Sequence, residues 1–131
     1  MTTVLVDGTA SGRLMVLSEP LSFWGGVDPA TGTIIDRSHP AVGESVSGRI
    51  LCMPYGRGSS SSASVIAETI RNGAGPRGFI LGEPDEIVVT GVFVANALYG
   101  TRVPVMVTDL PDDIDKPVLL DAGGARSVDA E

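Results

Sequence analysis

Four consecutive serines, Ser59 to Ser62, follow Gly56-Arg57-Gly58 and stand between the apolar run Arg49-Ile50-Leu51-Cys52-Met53 and a helically spaced segment, Ala63-Ser64-Val65-Ile66-Ala67-Glu68-Thr69-Ile70. The order reads as strand, glycine loop, helix start. Glycines let the backbone turn tightly and the first amides of a helix have no intrahelical partner, so such a junction can hold an anion. Its hydroxyls can cap the helix, bind substrate oxygens or exchange a proton, and Arg57 supplies a charge for a carboxylate or phosphate. A serine oxygen at a helix N-terminus beside a cation is also where an alkoxide is least unstable.

Several known chemistries lack their parts here. A helix cap needs one serine, not four. A serine hydrolase needs a general base, and the single histidine, His39, lies in Ser38-His39-Pro40 and reads as a surface turn residue. The P-loop pattern Gly-x-x-x-x-Gly-Lys-Ser/Thr is absent. Pro54 to Ser61 resembles the phosphate loop of the galactokinase and mevalonate kinase group, but the further motifs of those longer kinases are missing, leaving a phosphate-binding analogy. Cys52, the only cysteine, excludes an internal disulfide and cannot by itself hold zinc or an iron–sulfur cluster; it reads as a small buried hydrophobe, so any metal centre belongs to another chain.

The elements that must position the loop follow from patterning. Residues 3–7 and 13–18 read as strands joined by a turn at Gly8-Thr9-Ala10-Ser11-Gly12. Glu19 to Pro29, with two prolines, Gly25-Gly26 and the only tryptophan, reads as an ordered loop with Trp24 at a pocket or interface. Ala30-Thr31-Gly32 reads as a hairpin tip leading to a strand at Thr33–Asp36, and Val46–Met53 as the central strand. A helix is expected from Ser61 to Asn72, stopped by Gly73, then a buried strand at Gly78–Leu81. Glu83-Pro84-Asp85-Glu86 opens a second helix over Ile87–Leu98, closed by Tyr99-Gly100 despite its β-branched residues. Val103–Val107 and Val118–Asp121 read as further strands, and the small, polar tail Ala122–Glu131 as poorly ordered and flexible.

With 131 residues, 43% hydrophobic, the chain suits one compact mixed α/β domain over residues 1–121, a β-barrel or layered sheet with helices on one side. A net charge of −7 with nine dispersed Lys and Arg argues against a nucleic-acid surface, and the acidic stretch Asp109–Asp115 reads as a solvated loop, not a cation site. No signal peptide or run of roughly 20 apolar residues is present, so a cytoplasmic protein outside the membrane is expected.

Taken together, Ser18-Glu19-Pro20-Leu21-Ser22-Phe23-Trp24-Gly25-Gly26-Val27-Asp28-Pro29, Asp36 with His39-Pro40, Gly56 to Ser62, Arg71-Asn72-Gly73 and Leu98-Tyr99-Gly100 resemble the small, swivelling domain of the aconitase X family over residues 5–108. That resemblance implies a swivelling β/β/α fold and a much larger partner subunit whose cysteines carry an iron–sulfur cluster, this chain binding no cofactor alone. It also implies a hydro-lyase in which a Gly-x-Gly-Ser-Ser loop supplies the catalytic serine, here Ser59. Arg57, Gly58, Ser60 and Ser61, with Ser22, Trp24, Gly25 and Gly26 of the upstream loop, would bind a small hydroxy-carboxylate. The arginine that follows the two serines in aconitase proper is Ser61 here, which leaves Arg57 to anchor the substrate. The family's substrates are cis-3-hydroxy-L-proline, which the uniform serine run favours, and mevalonate 5-phosphate. A reading of another class is a non-catalytic phosphate- or metabolite-binding module.

Overall fold

The chain forms four parallel strands, the last three joined by helical crossovers and the set extended on both sides by antiparallel strands, in a computed structural model that describes residues 2–109 and 116–128. In chain order the elements are β1 (Thr3–Val6), β2 (Ala10–Val16), β3 (Ile50–Met53), α1 (Ser60–Arg71), β4 (Gly78–Leu81), α2 (Glu86–Tyr99), β5 (Val105–Val107), β6 (Pro117–Asp121) and β7 (Gly124–Ser127). They build one sheet in the order β1-β5-β4-β3-β2-β6-β7, curled into a half-barrel. β3 pairs in parallel with β4 and with the second half of β2, and β4 with β5, whereas β1–β5, β2–β6 and β6–β7 are antiparallel.

Strand β3 lies at the centre and is buried on both faces. Alternation along a strand sends successive side chains to opposite sides. Leu51 and Met53 therefore join Phe79, Leu81, Ile66, Ile70, Val88 and Val92 beneath the two helices. Ile50 and Cys52 join Leu14, Ile80 and Met106 on the other side, covered by Val118 and Leu120 of β6. Strand β2 is the corner that allows this: Ala10–Arg13 pair with β6 and Leu14–Val16 with β3.

Both helices form where their caps dictate. Helix α1 starts at Ser59, buries Ala63, Ile66, Ala67 and Ile70 at spacings of three and four, and ends at Asn72 and Gly73. Helix α2 is rich in valine, but Asp85 caps its start and Gly100, in the left-handed conformation, ends it. Where α2 crosses α1 there is no room for a side chain: a Cβ at Gly91 would lie 2.7 Å from the Ala63 carbonyl oxygen and 2.8 Å from Ile66 Cβ.

Four expectations change. The turn expected at residues 8–12 does not make a hairpin, because β1 pairs with β5, three strands away from β2. Gly12 is a strand residue at a close approach, where a Cβ would lie 2.7 Å from the Gly48 carbonyl oxygen. The expected strand Val46–Met53 is shortened to Ile50–Met53 because Gly48 turns at φ +72°. The turn at Gly32 is present, but Thr33–Asp36 contributes only isolated bridges, Val27 to Ile34 and Thr33 to Ser45. The tail expected to be flexible from Ala122 holds strand β7, paired with β6 from Val118 to Asp121. The acidic residues after Asp109 lie outside the described residues. Among the described residues no helix is long and apolar enough to cross a membrane.

Gly91→Ala sets two magnitudes against each other. Alanine favours a helix over glycine by about 1 kcal/mol, whereas overpacking costs about 1–3 kcal/mol. The clash lies against backbone and a β-branched side chain, so the urea unfolding midpoint should fall; a raised midpoint would show that the helices separate freely.

Candidate functional site

The serine loop leaves the C-terminal end of β3 and becomes the first turn of α1. Ser59 is the N-cap: its backbone is extended, at φ −121° and ψ −169°, and its Oγ accepts from the Ser61 amide at 3.3 Å. Its hydroxyl oxygen thus sits at the positive end of the helix, in the field that best tolerates negative charge on oxygen. Ser59, Ser60 and Ser61 are exposed, as is Arg57. Ser60 also borders the groove between α1 and α2.

Ser62 behaves differently from its three neighbours. It is fully buried, its Oγ 3.0 Å from Ser22 Oγ and accepting from the Trp24 amide at 3.3 Å, while Ser22 Oγ donates to the Trp24 carbonyl. Because Ser22 spends its proton on that carbonyl, the Ser62 hydroxyl is left to donate to Ser22. A parallel bridge between Ser22 and Arg57 adds to the seam. Gly58 lies over this cluster at φ +112°, where a Cβ would collide with Ser62 Oγ and lie 2.9 Å from Ser22 Oγ. No other residue fits that position.

The upstream loop is thereby held against the serine loop. Phe23 is buried and tilts against Phe79, its ring centroid 6.3 Å away, whereas the next side chain, Trp24, is 65% exposed. Gly25, at φ +73°, and Gly26, packed under the Ser22 carbonyl, turn the chain back to Val27. Of the residues expected to bind substrate, Ser22, Arg57, Gly58 and the backbone of Trp24 are in one cluster, with Ser59 to Ser61 along its edge. Asp36 lies near Arg57; the hydroxyl and amide of Ser38 hold its carboxyl below the usual range, with a smaller contribution from Arg57.

His39 is not the surface turn residue expected. It is 5% exposed, with Nδ1 accepting from the Ala41 amide at 3.0 Å and Nε2 3.3 Å from the Glu19 carbonyl oxygen. Both ring nitrogens have partners, so it serves as a brace for the chain between Glu19 and Ala41. Asp85 escaped sequence reasoning as part of this site: beyond capping α2 it accepts from the Gly56 amide, 29 residues earlier. A cap signal announces only the local bond.

Among the described residues the donor set does not fit a metal or iron–sulfur cluster. Cys52 is fully buried on β3, and burial pushes its thiol up to about 12, far from the thiolate that ligation requires. Among the described residues no group of three His, Cys, Asp or Glu side chains is placed to hold a metal. Nor is the serine loop a closed pocket. A cavity of about 420 Å³ lies at the opposite pole, before β3 and β4, lined among others by Ser47, Gly48, Gly75, Arg77 and Arg102. The serine loop presents an exposed surface.

The chain as a whole is similar to known proteins. The aconitase X swivel domain family matches residues 1–130. The chain is 48% identical over 101 residues to the cis-3-hydroxy-L-proline dehydratase of Pseudomonas aeruginosa, 77% of this chain but only 17% of that enzyme. It is 44% identical over 91 residues to the phosphomevalonate dehydratase small subunit of Thermococcus gammatolerans, 70% of each. The holo-form crystal structure of Thermococcus kodakaraensis aconitase X superposes with a TM-score of 0.85 at 32% identity, covering 96% of this chain and 95% of that one. The chain thus spans about a sixth of the length of the hydroxyproline dehydratases it matches, at 17% and 18%.

Two measurements check the site's construction. Ser62→Ala leaves Ser22 and the Trp24 amide without their buried partner, which should cost about 1–3 kcal/mol and change the emission of the single tryptophan; unchanged stability and fluorescence would remove the seam. Cys52 predicts alkaline sensitivity. Its thiol ionises near 9 when unfolded and about 12 when folded, so the folded state holds the extra proton between those values. Its contribution is fully present below pH 9 and lost as pH rises toward 12, at about 1.4 kcal/mol per pH unit. Unfolding measured across that window should show a steeper loss than for Cys52→Ala; equal slopes would contradict it.

Proposed function

The chain belongs to the aconitase X swivel-domain family, and on that premise we propose that it is the small subunit of a two-subunit hydro-lyase in which Ser59 is the catalytic base. The observation that carries this reading is the Ser59 hydroxyl, exposed at the N-cap of α1 and accepting from the Ser61 amide. That amide and the first-turn field stabilise the alkoxide more than the neutral hydroxyl, lowering the cost of deprotonation.

As base, Ser59 Oγ takes a proton from the carbon beside the substrate carboxylate. The electron pair left behind forms the carbon–carbon double bond as the neighbouring hydroxyl departs; the proton that Ser59 gave up on becoming the alkoxide joins that hydroxide as the water released, and Ser59 ends the turnover as a neutral hydroxyl. Arg57 holds the carboxylate, and the loop amides near Gly58 and Ser60 face the charge that develops on it. Ser61, Ser22, Trp24, Gly25 and Gly26 complete this wall. The surface is open, so a larger partner subunit covers it and excludes water; the iron–sulfur cluster implied for the family would be held there, since the described donors of this chain do not fit one.

Identity favours cis-3-hydroxy-L-proline as substrate, at 48% against 44% for the phosphomevalonate relative. Mevalonate 5-phosphate is the second reading, supported by the likeness to a phosphomevalonate dehydratase small subunit. In the assembled pair, Ser59→Ala should lower dehydration of the true substrate at least about 100-fold. Ser59→Asn keeps an N-cap acceptor and should be equally inactive, which separates the base from the cap. Near-normal turnover by either variant, or turnover of either substrate by this chain alone, would refute the assignment.

A further inference from the structure

Gly56, the first residue of the serine loop, is buried, and its amide donates to Asp85 Oδ2 at 3.1 Å. The other oxygen of the same carboxylate, Oδ1, accepts from the Val88 amide at 3.0 Å and caps α2. One carboxylate therefore clips the loop after β3 to the start of the helix after β4. The approach is close: a Cβ on Gly56 would lie 2.6 Å from Asp85 Oδ1 and 2.8 Å from its carboxyl carbon. The loop is then fixed at three successive residues, Gly56 by Asp85, Arg57 by its bridge to Ser22, and Gly58 by its seat over Ser62. Asp85 is the charged side chain among these restraints and reaches in from another element.

We propose that Asp85 is a positioning residue, which acts through the Gly56 amide to set where the Ser59 oxygen stands and leaves that amide unavailable to substrate. The assignment of its role in turnover rests on Ser59 being the base. A capping role alone needs one acceptor; the second bond is directed at the loop and contributes nothing to α2. Because proton abstraction depends on near-contact geometry, a displacement of the order of an ångström at Ser59 is felt in rate far more than in binding.

Asp85→Ser separates the two roles. A serine keeps an N-cap acceptor for α2 but is too short, with a single oxygen, to hold Gly56 as well. In the variant chain the Gly56 amide should lose its protection from hydrogen exchange while the α2 amides keep theirs. In the assembled dehydratase, tested on cis-3-hydroxy-L-proline and mevalonate 5-phosphate, kcat should fall about 10- to 100-fold with KM changed less than about threefold. Asp85→Asn keeps the length but has one acceptor oxygen; with that oxygen on the Val88 amide its NH2 meets the Gly56 N–H, donor against donor, so it should release Gly56 and lower kcat as the serine does, and it serves equally if the serine variant does not fold. Unchanged Gly56 exchange, or a kcat equal to the parent's once Gly56 is released, would overturn the proposal. The exchange readout needs no turnover, so a failure of Ser59 as base, seen as an active Ser59→Ala enzyme, is distinguishable from a failure of the clip.

Discussion

Burial of β3 on both faces is the constraint on which the rest of the structure depends. A four-residue strand with no exposed side chain must have a layer above and a layer below. The helices supply one layer, and the curl of β2 that carries β6 and β7 over the other side supplies the second. Its parallel neighbours require crossovers, and the crossover that leaves β3 begins with the serine loop. The serine loop thus stands at the carboxyl end of the central, fully buried strand, where position is inherited from the core.

The four serines divide by burial into two jobs. Ser62 faces inward and spends its hydroxyl on Ser22 and Trp24, a fully bonded buried polar group that joins two loops 40 residues apart. Ser59, Ser60 and Ser61 face outward and keep their chemistry available. An anchored, exposed hydroxyl at a helix start stands beside Arg57 and a protruding Trp24 on an open surface.

The mixed α/β class, both helices and strand β4 were legible in the sequence because each is governed by local signals: the caps Ser59, Asp85 and Gly100 and the buried run Gly78–Leu81. What was not legible depends on distant residues. Gly12 read as a turn because its need for a bare α-carbon comes from Gly48, and β7 was missed because Gly124–Ser127 are polar and gain a strand only from the edge that β6 offers. At the site, the glycine–serine run announced itself, whereas the buried role of His39 and the second bond of Asp85 come from partners about 20 and 29 residues away. No periodicity encodes those contacts.

The central claim is that the Ser59 oxygen meets the acidic carbon of a substrate that this chain only partly encloses. The most direct measurement is the structure of the assembled two-subunit enzyme with an unreactive analogue of cis-3-hydroxy-L-proline or mevalonate 5-phosphate. Ser59 Oγ is expected within about 3.5 Å of the carbon beside the carboxylate, with Arg57 on the carboxylate itself. A different side chain at that carbon, with Ser59 turned to solvent, would contradict it.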